Sequence, residues 1–335
     1  MDHIRPQAER GKKSSKLLVS ARHMKSDVND TTFSHVMFLL SGIPGQEDFH
    51  LWISIAFGLI YAIAIVGNSV ILLIIKTEPS LHEPMFIFLS MLALTDLGFL
   101  IVTMPTTLGL YFFNFREINL HACIFQMYFV YVLIVTESGV LLSMAFDRFI
   151  AISYPLRYSS ILTLSTIAKI GLVSVIRALT LVFPFPVLLI QFQYCRSNVL
   201  TLSYCRNEDI GRLACLDEGL RAMYGLTIKI VTMGLDLPLI FFSYVMILKT
   251  VLRIASQVES LRALNTCVSH VCAVLLFYTP EFSLSVIPIF VKDVSPLLRI
   301  ILSYVSLLVP PLMNPIVYSV KSKPLRARII KVFIK

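Results

Sequence analysis

Ionisable residues recur in this chain where the surrounding sequence is apolar. Asp147 and Arg148 lie side by side within MAFDRFIAISYPLRY at 144–158, Asp96 and Glu137 interrupt two long hydrophobic stretches, and Lys229, Asp236, His270 and Glu281 punctuate two more. At the centre of a membrane such a charge costs roughly 2.5 to 3.5 kcal/mol, and less near the edge, so these residues are candidates for function. An adjacent acid and base suit a switch: the carboxylate holds the guanidinium at rest, and a helix rearrangement frees it to face a partner. Asp96 and Glu137 pose a different problem, because two carboxylates in apolar surroundings do not both stay ionised without compensation. A sodium ion or a shared proton would supply it. Asp96 and Asp236 could imitate a catalytic dyad, yet neither lies in a catalytic motif, and there is no phosphate loop or HExxH zinc spacing.

The elements that hold these charges must be helices in lipid. The chain is 56% hydrophobic and 15% charged, with a mean hydropathy of +0.79, well outside the range of a soluble domain. Apolar runs at 52–75, 85–113, 123–152, 167–190, 223–252, 263–291 and 296–320 are each long enough to cross a hydrocarbon core of about 30 Å as a helix. They are too long for barrel strands of roughly 10 residues. The expected fold is an all-α membrane protein: an N-terminal segment at 1–51, a seven-transmembrane helix bundle at 52–320 and a tail at 321–335. Self-similar halves, the mark of many transporters, are absent from the sequence.

Orientation follows from the short links. Those after the first, third and fifth runs, with the tail, carry Lys76, Arg148, Arg157, Lys169, Lys249, Arg253, Arg262, Lys321, Lys323, Arg326, Arg328, Lys331 and Lys335 against Glu78, Glu83, Asp147 and Glu259. Basic residues in short loops stay inside, so the N-terminus is expected outside. The net charge of +9 needs no nucleic acid, since anionic inner-leaflet lipid is a sufficient partner. The tail alternates its bases with Leu325, Ile329, Ile330 and Phe333, the pattern of an amphipathic helix on the cytoplasmic leaflet. The opening 1–23 is basic and lacks the apolar core of a signal peptide. It is either part of the protein or an upstream extension before a start at Met24. Asn29 opens an Asn-Asp-Thr sequon, the acceptor for glycosylation in an extracellular segment. Cys195, Cys205 and Cys215 share one extracellular loop, and Cys123 opens the third run on the same side. Four cysteines allow three pairings; the expected one joins Cys123 to Cys205 and Cys195 to Cys215.

MAFDRFIAISYPLRY resembles the third-helix signature of the olfactory receptors, a branch of the rhodopsin-like G-protein-coupled receptors. Further motifs agree: Gly67-Asn68; Leu81-His82-Glu83-Pro84-Met85 followed by Phe88-Leu89-Ser90 and Asp96; Ala263-Leu264-Asn265-Thr266-Cys267-Val268-Ser269-His270; and Pro311-Leu312-Met313-Asn314-Pro315-Ile316-Val317-Tyr318. The resemblance runs from about Phe33 to the C-terminus. Gly42-Ile43-Pro44-Gly45, the long second extracellular loop, Phe146 and Phe149 are similar to the class I, or fish-like, members, family 51 among them. Phe86-Ile87, Phe146, Phe149 and Ser153 depart from the commoner pattern while keeping bulk or polarity.

The resemblance implies a multi-pass plasma-membrane receptor, not an enzyme. It would bind a small odorant from outside and raise cyclic AMP through a heterotrimeric, olfactory-type stimulatory G protein. A receptor for a non-odorant metabolite, or an intramembrane enzyme, is the alternative. The implied switch residues are Asp147, Arg148, Tyr244, His270, Asn314, Pro315 and Tyr318, with His270 joining Arg148. The implied polar core is Asn68, Asp96, Glu137 and Ser138, with sodium the only cofactor expected there and Asn314 and Ser138 completing its oxygen shell. The implied pocket is Tyr131, Ile134, Val135, Lys229, Thr232, Tyr278, Glu281, Phe282 and Ser285, roofed by the loop after Cys205, with Asp236 beneath it. Class I relatives often place His-Arg-Phe near the outer end of the sixth helix; here that stretch is Pro288-Ile289-Phe290, so the usual carboxylate anchor is missing. Lys229 could substitute, and Glu281 could neutralise it by pairing. Glu281 left free would favour an amine.

Overall fold

The computed structural model describes residues 37–43, 50–194, 197–215, 225, 227–253, 257–291 and 295–333. Phe38–Lys335 form one compact unit and Met1–Met37 a second, of which Met37 alone is described. Asn29, Met24 and Cys195 lie outside the described residues, as do Pro44 and Gly45.

Among the described residues, seven helices are long and apolar enough to span a bilayer: α1 (His50–Thr77), α2 (Pro84–Phe113), α3 (Leu120–Ser153), α4 (Leu164–Gln191), α5 (Thr227–Val251), α6 (Gln257–Phe290) and α7 (Pro296–Lys321). Every apolar run read from the sequence became one of them. The largest difference is at α6, which starts with a polar turn and a half that hydropathy passes over.

Local chemistry sets the ends and bends. Pro84 and Pro296 occupy first-turn positions where a missing N–H costs nothing. Asn119 caps α3 by accepting from the His121 N–H at 2.8 Å. Asn114 takes the left-handed conformation (φ 55°) that ends α2, letting the Phe115 N–H close on the Gly109 carbonyl at 2.9 Å. α4 bends at Phe183, where Pro184 and Pro186 follow. In α5 one π-turn at Thr232–Asp236 advances the helix face by an extra residue and delivers Asp236 to the interior.

α3 runs through the middle of the bundle. Val140, Leu141, Met144 and Ala145 pack with Leu89, Leu92 and Ala93 of α2, with Ile71 and Ile74 of α1, and with Phe277 and Tyr278 of α6. Gly67 permits the close approach of α1 and α7: a Cβ there would sit 3.1 Å from the Pro315 ring. The outward faces carry Leu94, Ile101, Leu172, Val173, Phe241 and Phe242, side chains suited to hydrocarbon rather than water.

On the outer side, β1 (Met37–Leu40), β2 (Glu117–Asn119) and β3 (Val199–Leu200) form a small sheet ordered β2-β1-β3. β1 and β3 run parallel, with Leu39 opposite Val199. The Cys123–Cys205 disulfide ties this loop to the head of α3, as expected. Cys215 is also disulfide-bonded, its expected partner being outside the described residues. On the inner side α8 (Lys323–Phe333) buries Leu325 and pairs Arg328 with Glu78 at 3.3 Å.

Candidate functional site

A cavity of about 660 Å³ opens between α3, α5 and α6, within the range of small-molecule sites. Tyr131, Ile134, Lys229, Thr232, Tyr278, Glu281 and Ser285 line it, with Asn207 and Glu208 of the loop helix Asn207–Leu213. Seven of the nine residues expected at a pocket line this cavity. Val135 does not: it is fully buried, and its carbonyl accepts from Arg177 Nη2 at 3.3 Å on the α4 side. Phe282 does not either, being 53% exposed. It sits about 100° round the helix from Glu281, and Phe277 lines the cavity in its stead.

The roof is a charged clasp. Tyr131 donates to Glu208 Oε2 at 2.7 Å, Arg206 Nε reaches the same oxygen at 3.3 Å, and Lys229 Nζ lies 3.9 Å from Oε1. Burial alone would raise the Glu208 carboxyl, but the Arg206 guanidinium, Lys229 and the Tyr131 hydroxyl hold it down to about 2. The expected pairing of Lys229 with Glu281 is therefore replaced. Lys229 turns to Glu208, and Glu281 accepts from the Ser306 hydroxyl of α7. Sequence gave no pointer to Glu208, which lies in a loop without a recognisable motif.

Below the cavity, Arg177 Nη1 and Nη2 bind the two oxygens of Asp236, each at 2.7 Å. Ser138 donates to Asp236 at 2.6 Å and shares a hydrogen bond with the Tyr278 hydroxyl at 2.7 Å. Four helices meet in this network. Ser138 is thereby committed to it and not to the Asp96 shell where it was expected, because it faces α5 and α6. Arg177 was missed, although a lone base inside an apolar run carries the same signal as Asp236.

The Asp96 site stands apart. Asn314 Nδ2 donates to Asp96 Oδ2 at 3.0 Å, and Asn68 Nδ2 donates to the Ala64 and Pro311 carbonyls at 3.0 and 2.9 Å. Asp96 Oδ1, Glu137 Oε1, Asn68 Oδ1 and Asn314 Oδ1 are all buried without a hydrogen-bond partner among the described residues. Buried oxygens lacking donors call for a cation or water, and carboxylate with amide oxygens is a donor set suited to a hard cation.

At the inner end, Arg148 Nε donates to Asp147 Oδ2 at 2.9 Å, and its Nη2 meets the same oxygen. The Tyr158 hydroxyl takes Oδ1 at 2.7 Å. Burial and then the Asp147 charge push the Tyr158 phenol up. His270 does not bond Arg148, contrary to expectation. Its Nε2 lies 2.9 Å from the Leu141 carbonyl, an acceptor only, so Nε2 carries the proton and Nδ1 accepts from the Tyr244 hydroxyl at 2.5 Å. Both groups nonetheless border one small space with Asp147, Met144 and Tyr318. Tyr318 is buried with its hydroxyl 3.9 Å from Met144 Sδ, one turn beyond Asn314 and Pro315, which are buried as well.

An outward cavity, a polar core and an acid–base pair at the inner end of the third of seven helices define a seven-transmembrane receptor of the rhodopsin-like kind. Sequence comparison narrows this. The family described as Olfactory receptor matches residues 57–335. The chain is 52% identical to human olfactory receptor 51G2 over 305 residues, 91% of this chain and 97% of the relative. It is 52% identical to human olfactory receptor 51A7 over 294 residues, 88% and 94% of the two chains. Human olfactory receptor OR51C1 is 48% identical over 304 residues, 91% and 97%. The chain belongs to the olfactory receptor family: it is a multi-pass plasma-membrane protein, an odorant-sensing G-protein-coupled receptor and not an enzyme.

Proposed function

We propose that a small organic odorant reaches the α3–α5–α6 cavity from the outer side and drives a stimulatory, olfactory-type heterotrimeric G protein at the inner side, raising cyclic AMP. The observation that carries this route is the position of Tyr278, whose ring walls the cavity and whose hydroxyl joins Ser138 and, through it, the Asp236–Arg177 pair. A ligand shifts an equilibrium only by its differential affinity for the two states. One that favours a different Tyr278 position loosens contacts holding α3, α5 and α6 together. Outward movement of the inner ends of α5 and α6 would break the Tyr244–His270–Leu141 link and release Arg148 from Asp147 to meet the G protein.

Asp96, Glu137, Asn68 and Asn314 are the residues that would hold a sodium ion, whose single charge would balance one of the two acids while a proton neutralises the other. Asp96 with Asn314 and Asn68 tie α2, α1 and α7 together, so this site would stabilise the resting arrangement. The bases of α7 and α8 would face anionic inner-leaflet lipid.

The test is cyclic AMP in cells expressing the receptor, challenged with matched short-chain acids, alcohols, esters and amines beside an Arg148→Ala variant at equal surface level. A response to one series that vanishes in the variant is expected. A response that persists in Arg148→Ala would remove the proposed coupling route.

A further inference from the structure

We propose that Glu281 anchors a cationic nitrogen, so that the odorants of this receptor are small organic amines with an apolar tail. This rests on the odorant cavity proposed above and names the chemical class it accepts.

The charged groups that face the cavity divide unequally. Among the described residues, Lys229 and Arg206, the two cations near it, both turn to Glu208, and Arg206 also donates to Ser303 at 3.1 Å. Glu208 further accepts from Tyr131. Glu281 shares a small enclosed space with Arg206 and Ser306, yet among the described residues its side chain makes no ion pair and its hydrogen bond comes from Ser306. A carboxylate offers about four lone-pair sites. One hydroxyl leaves the rest for a ligand, and Glu281 lines the large cavity.

The walls suit the same class. Tyr131, Phe277 and Tyr278 surround the approach to Glu281, and aromatic faces attract a cation placed within about 6 Å. Ile134, Ile228 and Val286 provide the apolar remainder. An acid would instead have to displace Glu208 from two cations and a phenol, giving up charge-assisted bonds to form similar ones. The adjoining vestibule adds Arg212, Arg299 and Asp209. Its positive excess slows the arrival of a cation, an effect that salt screens within about 8 Å and that acts on rate more than on affinity.

The experiment uses the full-length receptor and four probes of matched size: hexylamine, 2-phenylethylamine, hexanol and hexanoic acid. Two readouts run in parallel, cyclic AMP in cells and thermal stabilisation of the purified receptor. An amine is expected to act in both, and Glu281→Gln, close in shape, is expected to weaken it by at least about 30-fold, the usual consequence of truncating one partner of a buried charge pair. Glu281→Asp, which keeps the charge, should retain part of the response, separating loss of the anchor from loss of folding. Stabilisation by an amine without cyclic AMP would uphold the Glu281 site and remove the coupling route instead. Activation by hexanol or hexanoic acid with both amines silent would overturn the amine class and leave the receptor reading standing. No stabilisation by either amine, or equal amine potency in Glu281→Gln, would overturn it as well.

Discussion

Arg177 and Asp236 face each other across α4 and α5, with both terminal nitrogens of the guanidinium on both carboxylate oxygens at 2.7 Å. The carboxylate is fully buried, while the Arg177 side chain as a whole is 25% exposed. Ser138 and Tyr278 extend the pair to α3 and α6, which makes it the junction between the α3–α5–α6 cavity and the bundle interior.

Removing one partner of such a pair leaves an uncompensated charge and typically costs about 3–5 kcal/mol, whereas replacing both with apolar residues of similar volume is often neutral. Arg177→Met and Asp236→Leu alone should therefore lower the Tm of the purified receptor and its surface level strongly. The double variant should recover most of both. A double variant as unstable as the worse single one would mean that the pair does not act as a unit.

Tyr158 holds the second oxygen of Asp147 at 2.7 Å, keeping that carboxylate aimed at Arg148. A hydrogen bond to a charged group contributes about 1.5–3 kcal/mol. Tyr158→Phe removes it and should raise cyclic AMP in the absence of odorant several-fold. Basal signalling equal to wild type at matched surface level would place Tyr158 outside the resting lock.

The orphan oxygens of Asp96, Glu137, Asn68 and Asn314 lead to a sodium-dependent Tm, since a ligand at one hundred times its Kd adds about 2.7 kcal/mol. The purified receptor should melt higher in sodium chloride than in choline chloride of equal strength, and Asp96→Asn should abolish the difference. A difference that survives Asp96→Asn would put the ion elsewhere.

Glu208 titrates in the folded protein at about 2, below its ordinary 4.5. A depressed carboxyl contributes stability that is fully present above its unfolded value and fades as pH falls through the folded one. With the side chain 35% exposed, solvent screening limits this to about 1 kcal/mol. The Tm gap between wild type and Glu208→Gln should be flat from about pH 8 to 5, narrow below about pH 4.5 and close toward about pH 2. A gap that closes between pH 7 and 5 would contradict the clasp.

The spans were legible because twenty apolar residues in sequence have few alternatives in lipid. The switch motif was legible because its members are contiguous. Side-chain commitments were harder. Ser138 could serve Asp96 or Asp236, and only the packed bundle shows that it turns to the latter. Phe282 and Phe277 are both aromatic and lie five positions apart, about 140° round the helix, so choosing between them needs a helical phase that spacing from a motif does not fix. Glu208 was hidden because loop geometry, not periodicity, brings it over Lys229. Arg177 required no geometry, only the same rule applied once more to the fourth run.

The cavity roof begins at Cys205, which is held to α3 by its bond to Cys123. That bond forms only in an oxidising compartment. Until its cysteines have been oxidised, a newly made chain lacks this covalent tie, and its roof relies on hydrogen bonds such as Cys205 N–H to Gln126 at 2.9 Å and Tyr131 to Glu208 at 2.7 Å. The lid of the cavity is thus fastened covalently on the oxidising face of the membrane, the face from which an odorant is proposed to enter.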